Sequence, residues 1–102
     1  MSQYILLFRG GSPDDSNREE MGAKWGEWLE KAKAQGKYQS GLPFLEDGKQ
    51  IDSSGSSEYK SDVGAFMIME HPNIEDALEW AGKLPSISNG GSVSVHEAQD
   101  MG

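Results

Sequence analysis

The chain has 102 residues, no cysteine, a formal net charge of -8 and a pI near 4.6. Its length suits one domain over residues 1–102 with a single core. The acidic balance and singly scattered Lys and Arg argue against nucleic acid or an anionic membrane surface as partner. Without cysteine there are no disulfides, thiolate chemistry or Cys-based metal sites. No apolar run approaches the roughly 20 residues of a bilayer span, so no membrane insertion is expected. The first nine residues carry neither a basic n-region nor a small-residue cleavage site, so a cytoplasmic location is expected.

Residues 4–9 read as a strand, with Tyr4, Leu6 and Phe8 on one face and Ile5 and Leu7 on the other. Gly10-Gly11-Ser12-Pro13-Asp14-Asp15 closes it. Ser16-Asn17-Arg18-Glu19 fits a capping box, opening a helix that runs to about Gln35. Met21, Trp25, Trp28, Leu29 and Ala32 form its apolar stripe, and Gly36 suits its C′ position. Gly22 and Gly26 weaken that helix by about 1 kcal/mol each relative to Ala, and suggest a neighbour that comes close.

Residues 37–45, interrupted by Gly41 and Pro43, read as an edge strand. Glu46-Asp47-Gly48-Lys49 reads as a turn with an Asp-Gly hairpin signal. Residues 50–60 contain Ser53-Ser54-Gly55-Ser56-Ser57 and read as a loop, the most mobile in the chain. Residues 63–70 are the longest unbroken apolar run. Val63, Ala65, Met67 and Met69 point one way, Phe66 and Ile68 the other, which is the pattern of a central strand covered on both faces. Past His71 and Pro72, read as a turn, Asn73 caps a second helix. Its stripe is Ile74, Ala77, Leu78 and Ala81, with Trp80 on the flank and Pro85 as a stop. Ser88-Asn89-Gly90-Gly91 is a turn before a last strand at 92–97, with Val93 and Val95 inward and Ser94 and His96 outward.

This order predicts an α+β fold: a ferredoxin-like split βαβ (βαββαβ) with a four-stranded antiparallel sheet and both helices on one face. Two helices cover one face, yet strands 4–9 and 63–70 are apolar on both. Leaving half a dozen such side chains wet forgoes on the order of 10 kcal/mol of burial. A second copy packed sheet to sheet resolves this, so a homodimer, a dimeric α+β barrel, is expected.

The chain also resembles a known family in an ordered set of short pieces. Leu6-Leu7-Phe8-Arg9-Gly10-Gly11, Lys24-Trp25-Gly26-Glu27-Trp28 and Gly41-Leu42-Pro43-Phe44 are similar to the YCII-related family. Asp62-Val63-Gly64-Ala65-Phe66, the helix with Glu75, Ala77 and Ala81, and Gly90-Gly91-Ser92-Val93-Ser94-Val95 continue the match nearly end to end. The resemblance implies a dimeric ferredoxin-like barrel with a cleft, and brings no assigned reaction. The departures bear on function. The family's Asp-Gly-Pro-Phe stretch is replaced by Ser53-Ser54-Gly55-Ser56, although Glu58 and Lys60 look like the charged residues that follow it. Trp25 stands where one branch has the His of a proposed His–Asp dyad, so that dyad is missing.

His96 is the candidate catalytic residue, because a strand-end imidazole suits proton transfer near neutral pH. A surface histidine is the plainer alternative. Trp25 and Phe66, with Tyr4, Phe8 and Trp28, can line an apolar pocket, or serve simply as core. Arg9 can hold a carboxylate, and Glu58 and Asp62 flank the loop at the cleft mouth; pairing among 17 acidic residues and solvation are the bland readings. The two histidines have no His-x-His or His-x-x-x-His spacing, so no metal is expected. No phosphate loop, dinucleotide fingerprint or redox motif is present, so no cofactor is expected either. The leading expectation is a small-ligand-binding dimer with a cleft between sheet and first helix, near Trp25, Arg9, His96 and residues 53–62. The alternatives are an enzyme of proton transfer on a small organic acid or lactone, with His96 as base and Arg9 as anion holder, and a non-catalytic protein-interaction module.

Overall fold

The computed structural model describes residues 1–45 and 48–99. Among the described residues nine elements follow in chain order: β1 (Ser2–Arg9), α1 (Arg18–Ala34), β2 (Tyr38–Pro43), β3 (Gly48–Asp52), β4 (Gly55–Tyr59), β5 (Ala65–His71), α2 (Ile74–Gly82), α3 (Pro85–Ser88) and β6 (Ser92–Ala98). β2, β5, β1 and β6 lie side by side in that order, every neighbour antiparallel. This is the ferredoxin-like arrangement, with the two most apolar strands, β1 and β5, at the centre.

Alternation along the strands sorts the core. Tyr4, Leu6, Phe8, Met67 and Met69 face the helices and are buried against Trp28, Ala32, Ala77 and Ala81. Ile5, Leu7, Phe66 and Ile68 point to the opposite face, which no helix covers, and stay half-buried. The molecule is 18 Å thick in its shortest direction, as one sheet and one helical layer require. Trp28 ties the helices together: its indole Nε1–H donates to the Trp80 carbonyl at 3.1 Å, and the two rings meet edge to face.

The helix ends follow local chemistry. The Lys37 and Gly36 amides donate to the carbonyls of Ala32 and Lys33, a Schellman ending made possible by Gly36 at φ +70. Asn73 caps α2 as expected, its Oδ1 accepting from the Asp76 amide at 2.8 Å. At the start of α1 the capping box does not form. The Asp14 carboxylate takes both the Ser16 amide (2.9 Å) and the Ser16 hydroxyl (2.6 Å), and the helix begins after Asn17 with no side-chain cap. A carboxylate two residues upstream outcompetes the hydroxyl's bond to the helix.

Four other expectations change. The serine-rich stretch at 50–60 is not a loop: β3 and β4 pair antiparallel around a turn at Ser53 and Ser54. The Asp52 carboxylate builds that turn by accepting from the Ser54 amide (2.8 Å) and hydroxyl (2.6 Å). Of the turn expected at 46–49, Glu46 and Asp47 lie outside the described residues, while Gly48 and Lys49 begin β3. Pro85 opens the short α3 at its first position rather than only stopping α2. Finally, a Cβ at Gly22 or Gly26 meets nothing within 4 Å, so no neighbour approaches α1 there.

Candidate functional site

The sequence reading gathers Trp25, Arg9 and His96 into one cleft, and the structure separates them. Trp25 projects from α1 onto the helix-side face, tilted against Phe8 with ring centroids 5.8 Å apart. Arg9 and His96 have the opposite strand parity and stand on the open face; His96 pairs with Ile5 across β6 and β1. A sheet lies between Trp25 and His96, so they cannot touch one ligand from the same side. The cause is the period of two: Arg9 follows Phe8 and His96 follows Val95, and each step turns the side chain over.

On the open face Arg9, Ser94 and His96 form a line. Arg9 Nη1 donates to Ser94 Oγ at 3.0 Å, and Ser94 Oγ stands 2.9 Å from His96 Nε2, to which its own hydrogen can be donated. Arg9 Nε also meets Asp62 Oδ2 at 3.2 Å, a pair exposed enough to contribute only about 0–1 kcal/mol. Glu58 lies apart from all of these, on β4, where it faces Lys49 of β3 at 3.6 Å.

Two adjoining cavities flank Trp25 and Phe8. One, of about 280 Å³, lies between α1 and the β2–β5 edge and is walled by Trp25, Phe8, Leu29, Tyr38, Leu42 and Phe66. The other, of about 230 Å³, lies at the end of the sheet among Gly10, Gly11, Trp25, Asp62 and Ser86. Trp25 lines both cavities, Phe66 borders only the first and Asp62 only the second, whereas neither Arg9 nor His96 lines either cavity. The first cavity is mostly aromatic and aliphatic wall; the second adds a carboxylate and a hydroxyl.

Ser86 is a candidate site residue that sequence reasoning missed. It is buried, 5% exposed, and its Oγ has no hydrogen-bond partner among the described residues. A buried unpaired hydroxyl costs about 1–3 kcal/mol, so it calls for a partner, whether a water, an ion or a ligand. Its position is fixed from behind. The Ser86 carbonyl accepts from the Gly91 amide at 2.8 Å, and Gly11 passes so close that a Cβ there comes within 2.5 Å of that carbonyl. Gly11, at φ +73, meets both the steric and the conformational demand. The sequence signal was faint: a serine after Pro85, in a segment read as a stop.

His71, read as a turn residue, is instead the fully buried last residue of β5. Its Nδ1–H donates to Asp76 Oδ2 at 2.8 Å, and Lys37 Nζ reaches the same oxygen at 2.9 Å. The Lys37 hydrogen bond and then the His71 hydrogen bond hold the Asp76 carboxyl below its ordinary range. No helix among the described residues is long and apolar enough to cross a membrane. Among them, too, no three His, Asp or Glu side chains converge as metal ligands.

A family model described as the YCII-related domain matches residues 3–100. Among solved structures, the chain is similar to a 5-chloro-2-hydroxyhydroquinone dehydrochlorinase from Burkholderia phenoliruptrix in complex with 2,5-dihydroxybenzoquinone. The identity is 24%, the TM-score 0.60, and the match covers 94% of this chain and 93% of that one. No curated protein matches the sequence.

Proposed function

The chain belongs to the YCII-related family, and from that premise we propose that it binds a small organic ligand in the cleft beside Trp25, between α1 and the sheet. The observation that carries this reading is the buried Ser86 hydroxyl, without a partner among the described residues, in the cavity that adjoins the aromatic-walled one. The ligand that suits it has one apolar ring, lying against Trp25 on the helix side of the sheet, and a polar substituent reaching Ser86 and the Asp62 carboxylate. A cavity of about 280 Å³ is at the small end of ligand sites, which favours a single-ring compound. The fold neighbour holds a small ring of that kind, 2,5-dihydroxybenzoquinone, which supports the same ligand class here.

Trp25 replaces the polar residue expected of a dyad, so this reading is one of binding, with stacking and water exclusion as its physical basis. His96 and Arg9 stay outside it. The test is a titration with 2,5-dihydroxybenzoquinone and simple hydroxylated phenols, followed by calorimetry and by Tm. Saturable binding is expected, weakened at least about tenfold by Trp25→Ala, a loss of about 1.4 kcal/mol. His96→Ala, on the other face, leaves affinity unchanged. Binding that survives Trp25→Ala in a folded protein, or that His96→Ala abolishes, rejects the site.

A further inference from the structure

Residues 10–17 run from β1 to α1 along the smaller of the two cavities. Gly10, Gly11, Ser12 and Pro13 wall it, together with Asp62 and Ser86. Gly11 is fixed against the Ser86 carbonyl, with no room for a Cβ. The segment beyond it is tied down by one side chain. Among the described residues, every hydrogen bond that joins residues 12–17 to an element other than α1 runs to Asn89, which ends α3. Its Nδ2 donates to the Ser12 carbonyl at 2.9 Å and to the Gly11 carbonyl at 3.3 Å, and its Oδ1 accepts from Asn17 Nδ2 at 2.9 Å. The other bonds of the segment are internal. Asn17 Oδ1 accepts from the Asp14 amide at 2.9 Å, and the Asp14 carboxylate holds Ser16. A carbonyl takes only a donor and a backbone N–H only an acceptor, so these partners fix the way both side-chain amides are turned.

Asn17 supplies the second observation. It stands at the N-cap of α1, where an asparagine side chain ordinarily accepts from a first-turn amide, yet α1 has no side-chain cap. Asn73 makes that bond at the start of α2; the Asn17 amide is taken up by Asn89 and the Asp14 amide instead. A cap and a net hydrogen bond are each worth about fivefold in an equilibrium constant, so trading one for the other is close to balanced. We propose that residues 12–17 are a lid on the Ser86–Asp62 cavity with two arrangements. In the latched one, described above, Asn17 is joined to Asn89 and α1 is uncapped. In the open one Asn17 releases Asn89 and Asp14 and turns its Oδ1 onto the Glu20 amide, capping α1 while the segment swings off the cavity. Ser12 is exposed and Asn17 and Asn89 are half-buried, so water takes up the polar groups that the latch lets go.

What the lid does for a ligand rests on the ligand-binding reading above. Ser86 and Asn89 lie three residues apart on α3 and its end, so one short turn carries both the cavity hydroxyl and the latch. A substituent held at Ser86 touches the walls that Ser12 and Pro13 complete only in the latched arrangement. Ligand therefore favours the latch, and its release waits on opening. Asn89 is the positioning residue in this scheme: it reaches the ligand only through the lid.

Amide hydrogen exchange in the ligand-free protein reads the two arrangements directly. The Asp14 amide is bonded in the latched one, and the Glu20 amide is capped in the open one. Asn89→Ala removes the latch. Asn17→Asp keeps the capping oxygen but loses the donor to Asn89, and leaves Asn89 and the cavity wall in place. In both variants, shown to be folded by urea denaturation, exchange is expected to quicken at Asp14 and slow at Glu20, at least about twofold each. Dissociation of 2,5-dihydroxybenzoquinone, followed by stopped flow, is expected to be at least about fivefold faster in both. An Asn89 that merely braces the loop loosens the two amides together; that outcome, or no change at either, overturns the lid. Opposed shifts with unchanged dissociation remove it from the ligand's path. A wild type that binds no ligand rejects the cleft reading instead, and the two amides still decide the latch.

Discussion

His71 Nδ1 and Asp76 Oδ2 lie 2.8 Å apart across the junction of β5 and α2, and Lys37, the residue before β2, closes on the same oxygen at 2.9 Å. The imidazole is fully buried against the Tyr4 ring, edge to face at 5.8 Å, so its only described polar partner is that carboxylate. One acidic side chain thus ties the end of a central strand to both the chain entering β2 and the helix that follows. Because the folded-state pKa of Asp76 is depressed, first by Lys37 and then by His71, its stabilisation is fully present above the unfolded value of about 3.9. It is lost as pH falls below that value and through the folded pKa. Asp76→Asn is expected to cost about 1.5–3 kcal/mol at pH 7 and to flatten the stability profile below pH about 4. Urea denaturation at a series of pH values checks this; an unchanged acid limb in the variant refutes the assignment.

The outward glycines of α1 are a reserve of stability. Gly22 and Gly26 sit mid-helix, exposed, with open space where a Cβ goes. Replacing either by Ala removes backbone freedom from the unfolded chain and adds no clash. Each is expected to raise stability by about 0.5–1 kcal/mol, additively, since their side chains share no partner. Thermal unfolding of the single and double variants measures it. A loss on substitution means that something does pack there, in this chain or a second copy.

Trp28 offers the opposite outcome. Its ring is buried between Trp25 and Trp80, and its indole N–H satisfies the Trp80 carbonyl. Trp28→Phe keeps most of the ring but removes one hydrogen bond from that carbonyl, which keeps the Lys83 amide at 3.2 Å, at a cost of about 0.5–1.5 kcal/mol. Trp28→Ala also opens a cavity and is expected to cost about 3–5 kcal/mol. The difference between the two variants in chemical denaturation separates the hydrogen bond from the packing.

The order of the sheet was legible because β1 and β5 are apolar on both faces and the helical stripes between them are unambiguous. The faces of individual residues were legible too. The same alternation that puts Phe8 and Val95 inward puts Arg9 and His96 outward, and that alone separates His96 from Trp25. His71 shares the parity of Met67 and Met69, a sign of burial that the adjacent Pro72 obscured. The hairpin at 48–59 was not legible from composition, since serine-rich strands carry no apolar period. Its signal was local: Asp52 two residues before Ser54, a side chain able to build its own turn. The Ser86 hydroxyl was beyond sequence reasoning, because its lack of a partner depends on how Gly11 and Gly91 pass behind it.

Ser86→Ala follows from that packing and opposes stability to binding. In the free protein the Ser86 Oγ is buried and unpaired, so removing it deletes a desolvation cost and no bond. The variant is therefore expected to be as stable as the wild type, or more stable by about 0.5–1 kcal/mol. In the ligand complex the same hydroxyl gains its partner, so the variant loses about 1–1.5 kcal/mol of affinity, five- to tenfold in Kd. Ser86→Thr adds a methyl group beside Gly11, where space is shortest, and is expected to destabilise. Measuring unfolding free energy and ligand Kd on the same samples tests both halves at once. Stability that falls with Ser86→Ala makes the hydroxyl structural, whereas unchanged affinity removes Ser86 from the ligand's contacts and leaves the cleft to its aromatic walls.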